Sequence, residues 1–265
     1  MSNVILMKLH VIAGLPRSGS TLLSGILKQN PRVHADISSP LHKLVNDCLL
    51  SMNDKETPEN RVFFKEEEHR LSVIKGLIDG YLQFHGKEIY FDTNRFWSRQ
   101  RLLLHKIYPD AKIFLVLRNV AEIVNSLEAQ IIRNPTHLPG WLREIALLPQ
   151  ADRIRHYLSK GSFFWLSMEY TKDILLEKPQ NVTVIQYRQL VTDPRKIIKA
   201  IYSEIGEEVF DHDYSNVEFE REEYDTLIGA PGLHSVRGPV ENRPVKWVIG
   251  QREIVELQKL TIVNS

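Results

Sequence analysis

Cysteine, long apolar runs and an excess of either charge are all scarce in this sequence of 265 residues. Cys48 is the only cysteine, which excludes an intramolecular disulfide and a tetrahedral cysteine zinc site. The apolar stretch 4–13 contains Lys8 and His10 and is shorter than the about 20 apolar residues that cross a bilayer. It also lacks the basic start and the cleavage site of a signal peptide. We therefore expect a cytoplasmic protein without a membrane span.

Charge is nearly balanced, with 34 Lys and Arg against 33 Asp and Glu. This balance argues against binding to nucleic acid through bulk charge, but it leaves room for a local basic pocket. Apolar residues make up 43% and charged residues 25%, as is typical of a globular chain. The length provides ample core, and we expect one domain over residues 1–265.

Strand and helix patterns alternate along the chain. Apolar runs predict strands over 4–13, 88–91, 112–117 and 182–185. Helical spacing and stop signals predict helices over 22–28, 96–108, 120–130, 161–176, 251–260 and from Asp193 to near Gly206. We interpret 135–149 as a loop or short insert, 218–225 as a solvated acidic segment and 229–239 as a loop. This order predicts an α/β fold, a parallel sheet flanked by helices.

The segment after the first strand has the composition of a phosphate-binding loop. It reads Gly14-Leu-Pro-Arg-Ser-Gly-Ser-Thr21 and runs into a helix, so backbone N–H groups and the helix N-terminus face an anion. It is close to the Gly-x4-Gly-Lys-Ser/Thr loop of nucleoside triphosphatases, but Ser20 stands where that lysine belongs and the positive charge is at Arg17. The missing lysine argues against hydrolysis of ATP or GTP. A simple tight turn is the alternative.

This loop resembles the 5′-phosphosulfate loop of the sulfotransferases that use 3′-phosphoadenosine 5′-phosphosulfate (PAPS). The Pro-Arg-Ser-Gly-Ser-Thr-Leu form is similar to the bacterial and tyrosylprotein branches of that family. The resemblance implies a P-loop-like fold and in-line transfer of a sulfuryl group from PAPS to an acceptor hydroxyl or amine. It also implies that adenosine 3′,5′-bisphosphate is released and that no metal takes part. Donor-loop residues implied by the resemblance are Pro16, Arg17, Ser18, Gly19, Ser20 and Thr21, with Arg17 also catalytic.

A second segment strengthens the resemblance. In the family, an arginine after a strand and a serine eight residues later hold the 3′-phosphate of the donor. Arg118 follows the predicted strand 112–117, and Ser126 stands eight residues later on the predicted helix. An arginine matches a phosphate through bidentate hydrogen bonds. The alternative is an ordinary arginine at a helix start with a surface serine.

Two further matches are looser. Tyr187, in the segment Tyr187-Arg-Gln-Leu before Asp193-Pro194, inherits a contact with the adenine, although Arg188 and Gln189 replace an acidic pair of the family. Arg237 and Gly238 fall in the predicted loop 229–239, where the family has a basic loop that closes over the 3′-phosphate. Tyr187 as a tyrosine at the core edge remains an alternative.

The general base and the acceptor are not fixed by the sequence. Asp36 is our first expectation for the base, and His34, His42 and Asp92 are alternatives, each with a structural reading, such as an ion pair of Asp92 with Arg95. The acceptor is a small molecule, sugar, lipid or peptide, and specificity is expected from loops near 34–65 and 132–160. A degenerate module that binds adenosine bisphosphate without transfer, and a P-loop kinase, are the competing functions.

Overall fold

The computed structural model describes residues 7–54 and 56–260, and for Arg61 only the backbone. One sheet of five parallel strands runs in the order β2-β3-β1-β4-β5. The strands are β1 Lys8–Gly14, β2 Val33–Ser38, β3 Ile89–Thr93, β4 Ile113–Leu117 and β5 Val182–Gln186. The prediction of a parallel α/β sheet flanked by helices is confirmed.

Helices connect the strands, and a 3₁₀ helix, Arg95–Ser98, follows β3. The helices before β4 are α1 Ser20–Leu27, α2 Leu41–Met52, α3 Pro58–Phe63, α4 Glu67–Gln83 and α5 Arg101–Ile107. Those between β4 and β5 are α6 Val120–Arg133, α7 Gly140–Arg143, α8 Gln150–Leu158 and α9 Phe163–Glu177. Those after β5 are α10 Tyr187–Thr192, α11 Pro194–Glu204, α12 Glu222–Leu227 and α13 Gln251–Gln258.

Four of the five strands lie where apolar runs predicted them, and residues 4–6 of the first predicted strand fall outside the described residues. The edge strand β2 was missed, because its inward residues alternate with His34, Asp36 and Ser38 and give no apolar run. The predicted helix 96–108 is divided into the 3₁₀ helix and α5. The loop 135–149 contains the single turn α7.

The interpretation of 218–225 as solvated is confirmed only in part, because Glu218, Glu220, Glu222, Glu223 and Tyr224 are exposed but Phe219 and Asp225 are not. Phe219 is buried and forms an antiparallel bridge with Val236, and Asp225 is only 1% exposed. This segment therefore packs against the protein and positions the loop 229–239 that follows it.

Burial on both faces of the sheet explains the fully apolar sequence of β4. Along β4, Ile113 and Leu115 pack into the cluster that includes residues of α2 and α4, while Phe114 and Val116 pack with residues of α1 and α11. Burial on both faces is the condition under which parallel strands are stable. Within the described residues, no helix combines the length and the apolarity needed to cross a membrane.

The register of β1 against β4 creates the position of the site. Gly14 pairs with Val116, so the segments that leave the carboxyl ends of these two strands start side by side. Gly14 has φ 143°, and a Cβ there would lie 2.4 Å from the Val116 carbonyl oxygen. A larger residue would separate the two strands at the point where both turn toward the site.

Helix α6, which carries Ser126, is fixed by a buried carboxylate. Glu128 has no exposed surface, and its Oε1 accepts hydrogen bonds from the Tyr157 hydroxyl at 2.9 Å and from Arg153 Nε at 3.1 Å. Arg153 also pairs with Oε2, and Gln150 Nε2 lies 3.4 Å from that atom. This network ties α6 to α8.

Glu128→Ala is expected to lower the free energy of unfolding by about 3–5 kcal/mol, because it leaves the Arg153 charge largely buried without its partner. Urea unfolding measures the change. Glu256→Ala removes the exposed pair with Arg252 on α13 and is the matched control, with a loss below about 0.5 kcal/mol. Equal losses in the two variants would contradict the structural role of the buried network.

Candidate active site

Two adjoining cavities lie at the carboxyl ends of β1 and β4. The inner cavity has a volume of about 430 Å³ and the outer cavity about 710 Å³. Both are lined by Leu22, Arg118, Tyr187, Ser235 and Val236, so they form one continuous groove. Sequence-predicted residues on the inner lining are Pro16, Arg17, Gly19, Ser20, Thr21, Arg118 and Tyr187. Those on the outer lining are Arg118, Ser126, Tyr187 and Arg237.

The loop before α1 leaves the helix N-terminus open toward the inner cavity. Gly19 is the N-cap with φ 114°, and no side chain caps the helix. A Cβ on Gly19 would lie 2.4 Å from Cδ2 of Tyr187, so only glycine lets the tyrosine ring pack on the loop. The N–H groups of the first turn of a helix have no intrahelical acceptor, and this turn therefore offers its donors to an anion.

Arg17 connects the loop to two distant segments. Its Nε donates to the Ser126 hydroxyl at 3.1 Å and its Nη1 donates to the Leu233 carbonyl oxygen at 2.6 Å. The backbone at Arg17 is left-handed, with φ 65°. Burial, followed by the charges of Arg118 and Arg133, lowers the Arg17 pKa to about 10, so the side chain stays cationic at neutral pH. Arg17 forms no ion pair within the described part of the chain, and Asp225 offsets only part of the effect of the neighbouring arginines.

Arg118 and Tyr187 form the boundary between the two cavities. The Arg118 guanidinium lies 4.2 Å from the centre of the Tyr187 ring, donates from Nη1 to the Arg17 carbonyl oxygen at 3.3 Å and pairs through Nε with Glu122 at 2.9 Å. Ser126, two turns further along α6, reaches the same place through its bond from Arg17. The predicted pair of Arg118 and Ser126 is therefore brought together with the loop.

Three predicted donor residues lie less directly on the groove. Ser18 is fully buried behind the loop, and its hydroxyl has no hydrogen-bond partner among the described residues. Arg237 is on the outer lining, largely exposed, and bonded to both carboxylate oxygens of Glu220 at 2.7 and 2.9 Å. Gly238 lines neither cavity, and its carbonyl oxygen accepts from the Val217 N–H at 2.9 Å.

Asp36 is held away from both cavities. Its carboxylate forms a bidentate ion pair with Arg221, with Nε to Oδ1 at 2.6 Å, and accepts from the Ile37 N–H at 2.7 Å. Burial alone raises the pKa of the Asp36 carboxyl, but the bonds from Arg221 and Ile37 outweigh burial and hold that pKa below its usual range. A carboxylate so engaged is a weak proton acceptor. The geometry therefore does not support Asp36 as the base.

The other three predicted bases also lie off the two linings. His34 stacks on His85 with ring centres 3.9 Å apart, and burial followed by the His85 charge lowers its pKa to about 4. His42 packs on Phe96 and Trp97, and burial followed by the Arg99 charge lowers its pKa to about 4. Asp92 is buried, and burial raises its pKa. It accepts from Trp97 Nε1 at 2.5 Å, and no ion pair joins it to Arg95.

A histidine and aspartate pair that the sequence analysis missed does face the inner cavity. His234 lies on its lining and its Nδ1 is 2.6 Å from Oδ1 of the buried Asp225. The backbone N–H of His234 donates to Oδ2 of Asp225 at 2.7 Å, which fixes the loop against α12. Burial lowers the His234 pKa, Asp225 opposes that shift, and Arg17 and Arg95 lower the pKa further. With Nδ1 engaged by a carboxylate, Nε2 is left as the free proton acceptor.

Part of the lining of the inner cavity is aromatic. Phe163 lies at its centre, with ring centres 5.3 Å from Trp141 and 6.1 Å from Phe96, and Leu142 also lines this side. Of the regions from which specificity is expected, 132–160 contributes Trp141 and Leu142 to this lining. Arg95 lies over the Phe163 ring at 4.2 Å. The inner cavity is thus lined both by the phosphate-type loop and by a group of apolar and aromatic side chains.

The described residues contain no ligand set of a metal site. Among residues 7–54 and 56–260, no group of three or more His, Cys, Asp or Glu side chains is arranged to hold a metal ion.

Comparisons with solved structures concern the fold. A solved sulfotransferase domain of the Synechococcus PCC 7002 olefin synthase superposes with a TM-score of 0.51 at 18% identity, covering 97% of this chain and 95% of that one, which supports the shared fold. A sulfotransferase from Alicyclobacillus acidocaldarius covers 83% of this chain and 89% of that one, at 19% identity and a TM-score of 0.48.

Sequence comparison gives the family. Nodulation protein NoeE of Sinorhizobium fredii (strain NBRC 101917 / NGR234) is 32% identical over 132 residues, a stretch that spans 44% of this chain and 30% of that protein. The model of the sulfotransferase family matches residues 11–212, from β1 through the loop, Arg118, Ser126 and Tyr187 to the end of α11 and beyond. The chain therefore belongs to the sulfotransferase family.

Proposed function

We propose that this sulfotransferase takes its sulfuryl group from PAPS, transfers it to an acceptor hydroxyl, and releases adenosine 3′,5′-bisphosphate. The observation that carries the proposal is Arg17, a cation without a carboxylate partner in the described structure, at an uncapped helix N-terminus beside Arg118. Repulsion between neighbouring like charges destabilises the folded protein, and a bound anion reduces that repulsion. The groove therefore suits a ligand that carries several negative charges.

Each end of the donor has a fitting set of residues. The first turn of α1, with the hydroxyls of Ser20 and Thr21, suits the 5′-phosphate and the attached sulfuryl group. Arg118 and Ser126 suit the 3′-phosphate, and Arg237 adds positive charge at the outer rim. The face of Tyr187 that Arg118 leaves uncovered is the candidate contact for the adenine. The side chain of Ser18 is buried, so we propose that this residue shapes the donor loop. For Gly238 we propose only that it shapes the segment 229–239.

The reaction requires two contributions from this chain: stabilisation of the charge on the bridging phosphate oxygen and removal of the proton of the acceptor hydroxyl. PAPS supplies a sulfuryl group whose bond to the bridging phosphate oxygen breaks, with the electron pair going to the departing phosphate. Arg17 and the N–H groups of α1 stabilise the negative charge that grows on that oxygen, which is usually the largest electrostatic contribution. His234 Nε2 takes the proton of the acceptor hydroxyl as the new oxygen–sulfur bond forms. Asp225 orients the ring and stabilises the imidazolium.

Donor binding gives the first test. Adenosine 3′,5′-bisphosphate at about 100 times its dissociation constant is expected to stabilise the protein by about 2.7 kcal/mol and to raise Tm by roughly 5 °C or more. Arg118→Ala is expected to lose most of that shift. Arg252→Ala, on the exposed side of α13, is the matched control and keeps it. A larger shift with ATP and magnesium, or no shift with the bisphosphate, would contradict PAPS as the donor.

The base is tested by kinetics. His234→Gln is expected to lower kcat/KM by roughly 10²–10⁴-fold, the usual contribution of a general base. His105→Gln, at an exposed position on α5, is the control and leaves kcat/KM unchanged. Full turnover in His234→Gln together with its loss in Asp36→Asn would return the role of base to Asp36.

The pH profile tests the same assignment through Asp225. A base must be unprotonated, and the His234 pKa lies below its ordinary value of about 6.5, so kcat/KM is expected to be flat above that pH and to fall below it. Asp225→Asn removes the interaction that raises the His234 pKa, so the acid limb moves to lower pH while the plateau drops. An unmoved acid limb in Asp225→Asn would contradict the coupling of the two residues.

A further inference from the structure

Arg95 is a cation on the inner cavity that the donor does not account for. It follows β3 at the start of the 3₁₀ helix and lines the inner cavity, whereas Ser126 lines the outer cavity. Its Nη1 is buried and has no hydrogen-bond partner, and the side chain forms no ion pair anywhere in the described ranges. A charged donor left without a partner costs more free energy than a neutral one. Such a group on a cavity wall calls for an explanation.

The surroundings of Arg95 supply no compensating charge. Asp92, three residues before it, bonds to Trp97, and no Asp or Glu belongs to the described lining of the inner cavity. One face of the guanidinium lies on the Phe163 ring, which fixes its plane. Although burial lowers the Arg95 pKa to about 10, the side chain remains cationic at neutral pH.

Arg95 also lies within electrostatic reach of the proposed base, since its charge lowers the His234 pKa. Between them the cavity is bounded by Phe96, Trp141, Leu142 and Phe163. An acceptor seated there would have its hydroxyl at His234, an apolar body against the rings, and one end at Arg95. A guanidinium forms paired hydrogen bonds with a carboxylate or with a phosphate. One cation offsets the single charge of a carboxylate, however, whereas a phosphate monoester carries a charge of about −1.5 to −2 at pH 7.

We propose that the acceptor is a small apolar or aromatic hydroxy acid whose carboxylate binds Arg95 while its hydroxyl faces His234. This inference rests on the proposed function, because it assigns the acceptor end of the same cavity. Arg95 is then a residue that determines specificity, and its substitution changes acceptor choice without changing donor binding.

The test compares acids with their neutral amides. The probes are 4-hydroxybenzoate, 4-hydroxyphenylacetate and 3-(4-hydroxyphenyl)propanoate, each with its primary amide, titrated calorimetrically in the presence of adenosine 3′,5′-bisphosphate. For at least one pair, the wild-type protein is expected to bind the acid at least about tenfold more tightly than the amide. Arg95→Met is expected to abolish that preference, and Arg95→Lys to retain part of it.

The matched control is Arg99→Met, four residues further on, which removes an exposed arginine whose guanidinium lies 6.0 Å from the Tyr170 ring and leaves the preference intact. Equal affinity for acid and amide throughout the series would overturn the inference. An equal loss of turnover on acids and amides in Arg95→Met would also overturn it, since Arg95 would then act on the sulfuryl group. Bisphosphate binding is measured in every variant. If the wild-type protein binds no bisphosphate, the proposed donor fails as well, whereas normal bisphosphate binding with no acid preference removes this inference alone.

Discussion

The guanidinium of Arg17 is the contact on which the arrangement of the site depends. The Arg17 backbone is left-handed, and its guanidinium donates to Ser126 on α6 and to the Leu233 carbonyl oxygen beside His234. The backbone carbonyl oxygen of Arg17 accepts a hydrogen bond from Arg118. The loop after β1, the helix after β4 and the late loop are thereby held around one positive charge. A sheet that placed β1 and β4 apart would separate these segments, so the parallel order of the strands and the chemistry are linked.

The inner cavity contains positive charges that no ion pair of the described structure neutralises. Arg118 has Glu122, but Arg17 and Arg95 form no ion pair in the described structure. Folding with such charges costs free energy, and the cost is accepted where a ligand later neutralises it. The separation of roles follows from position: Arg17 lies at the helix N-terminus, where a phosphate is favoured, and Arg95 lies on an aromatic wall, where an organic acceptor is favoured.

The sequence predicted those parts of the molecule whose signals are local. Apolar runs located β1, β3, β4 and β5. Arg118 and Ser126 line the same cavity because one strand and the helix after it position both residues. The edge strand β2 was not predicted, because its polar residues alternate with apolar ones and give no apolar run. Only the assembled sheet shows which face of this strand is buried.

The proposed base was missed for a different reason. His234 gains its significance from Asp225, nine residues away in a segment whose acidic composition suggested solvent. Asp36 was our first expectation, but Arg221, from a remote segment, forms an ion pair with its carboxylate. Pairings of this kind between separate segments leave no periodic signal, because the sequence records neither which carboxylate is engaged nor which faces the cavity.

The central claim is that Arg17 and the first turn of α1 hold the 5′-phosphate group of the donor. Calorimetric titration of adenosine 3′,5′-bisphosphate against adenosine 3′-monophosphate tests it, because the two ligands differ only in that phosphate. The wild-type protein should bind the bisphosphate at least about tenfold more tightly, and Arg17→Met should lose most of that difference while still binding the monophosphate. An undiminished preference in Arg17→Met would contradict the account.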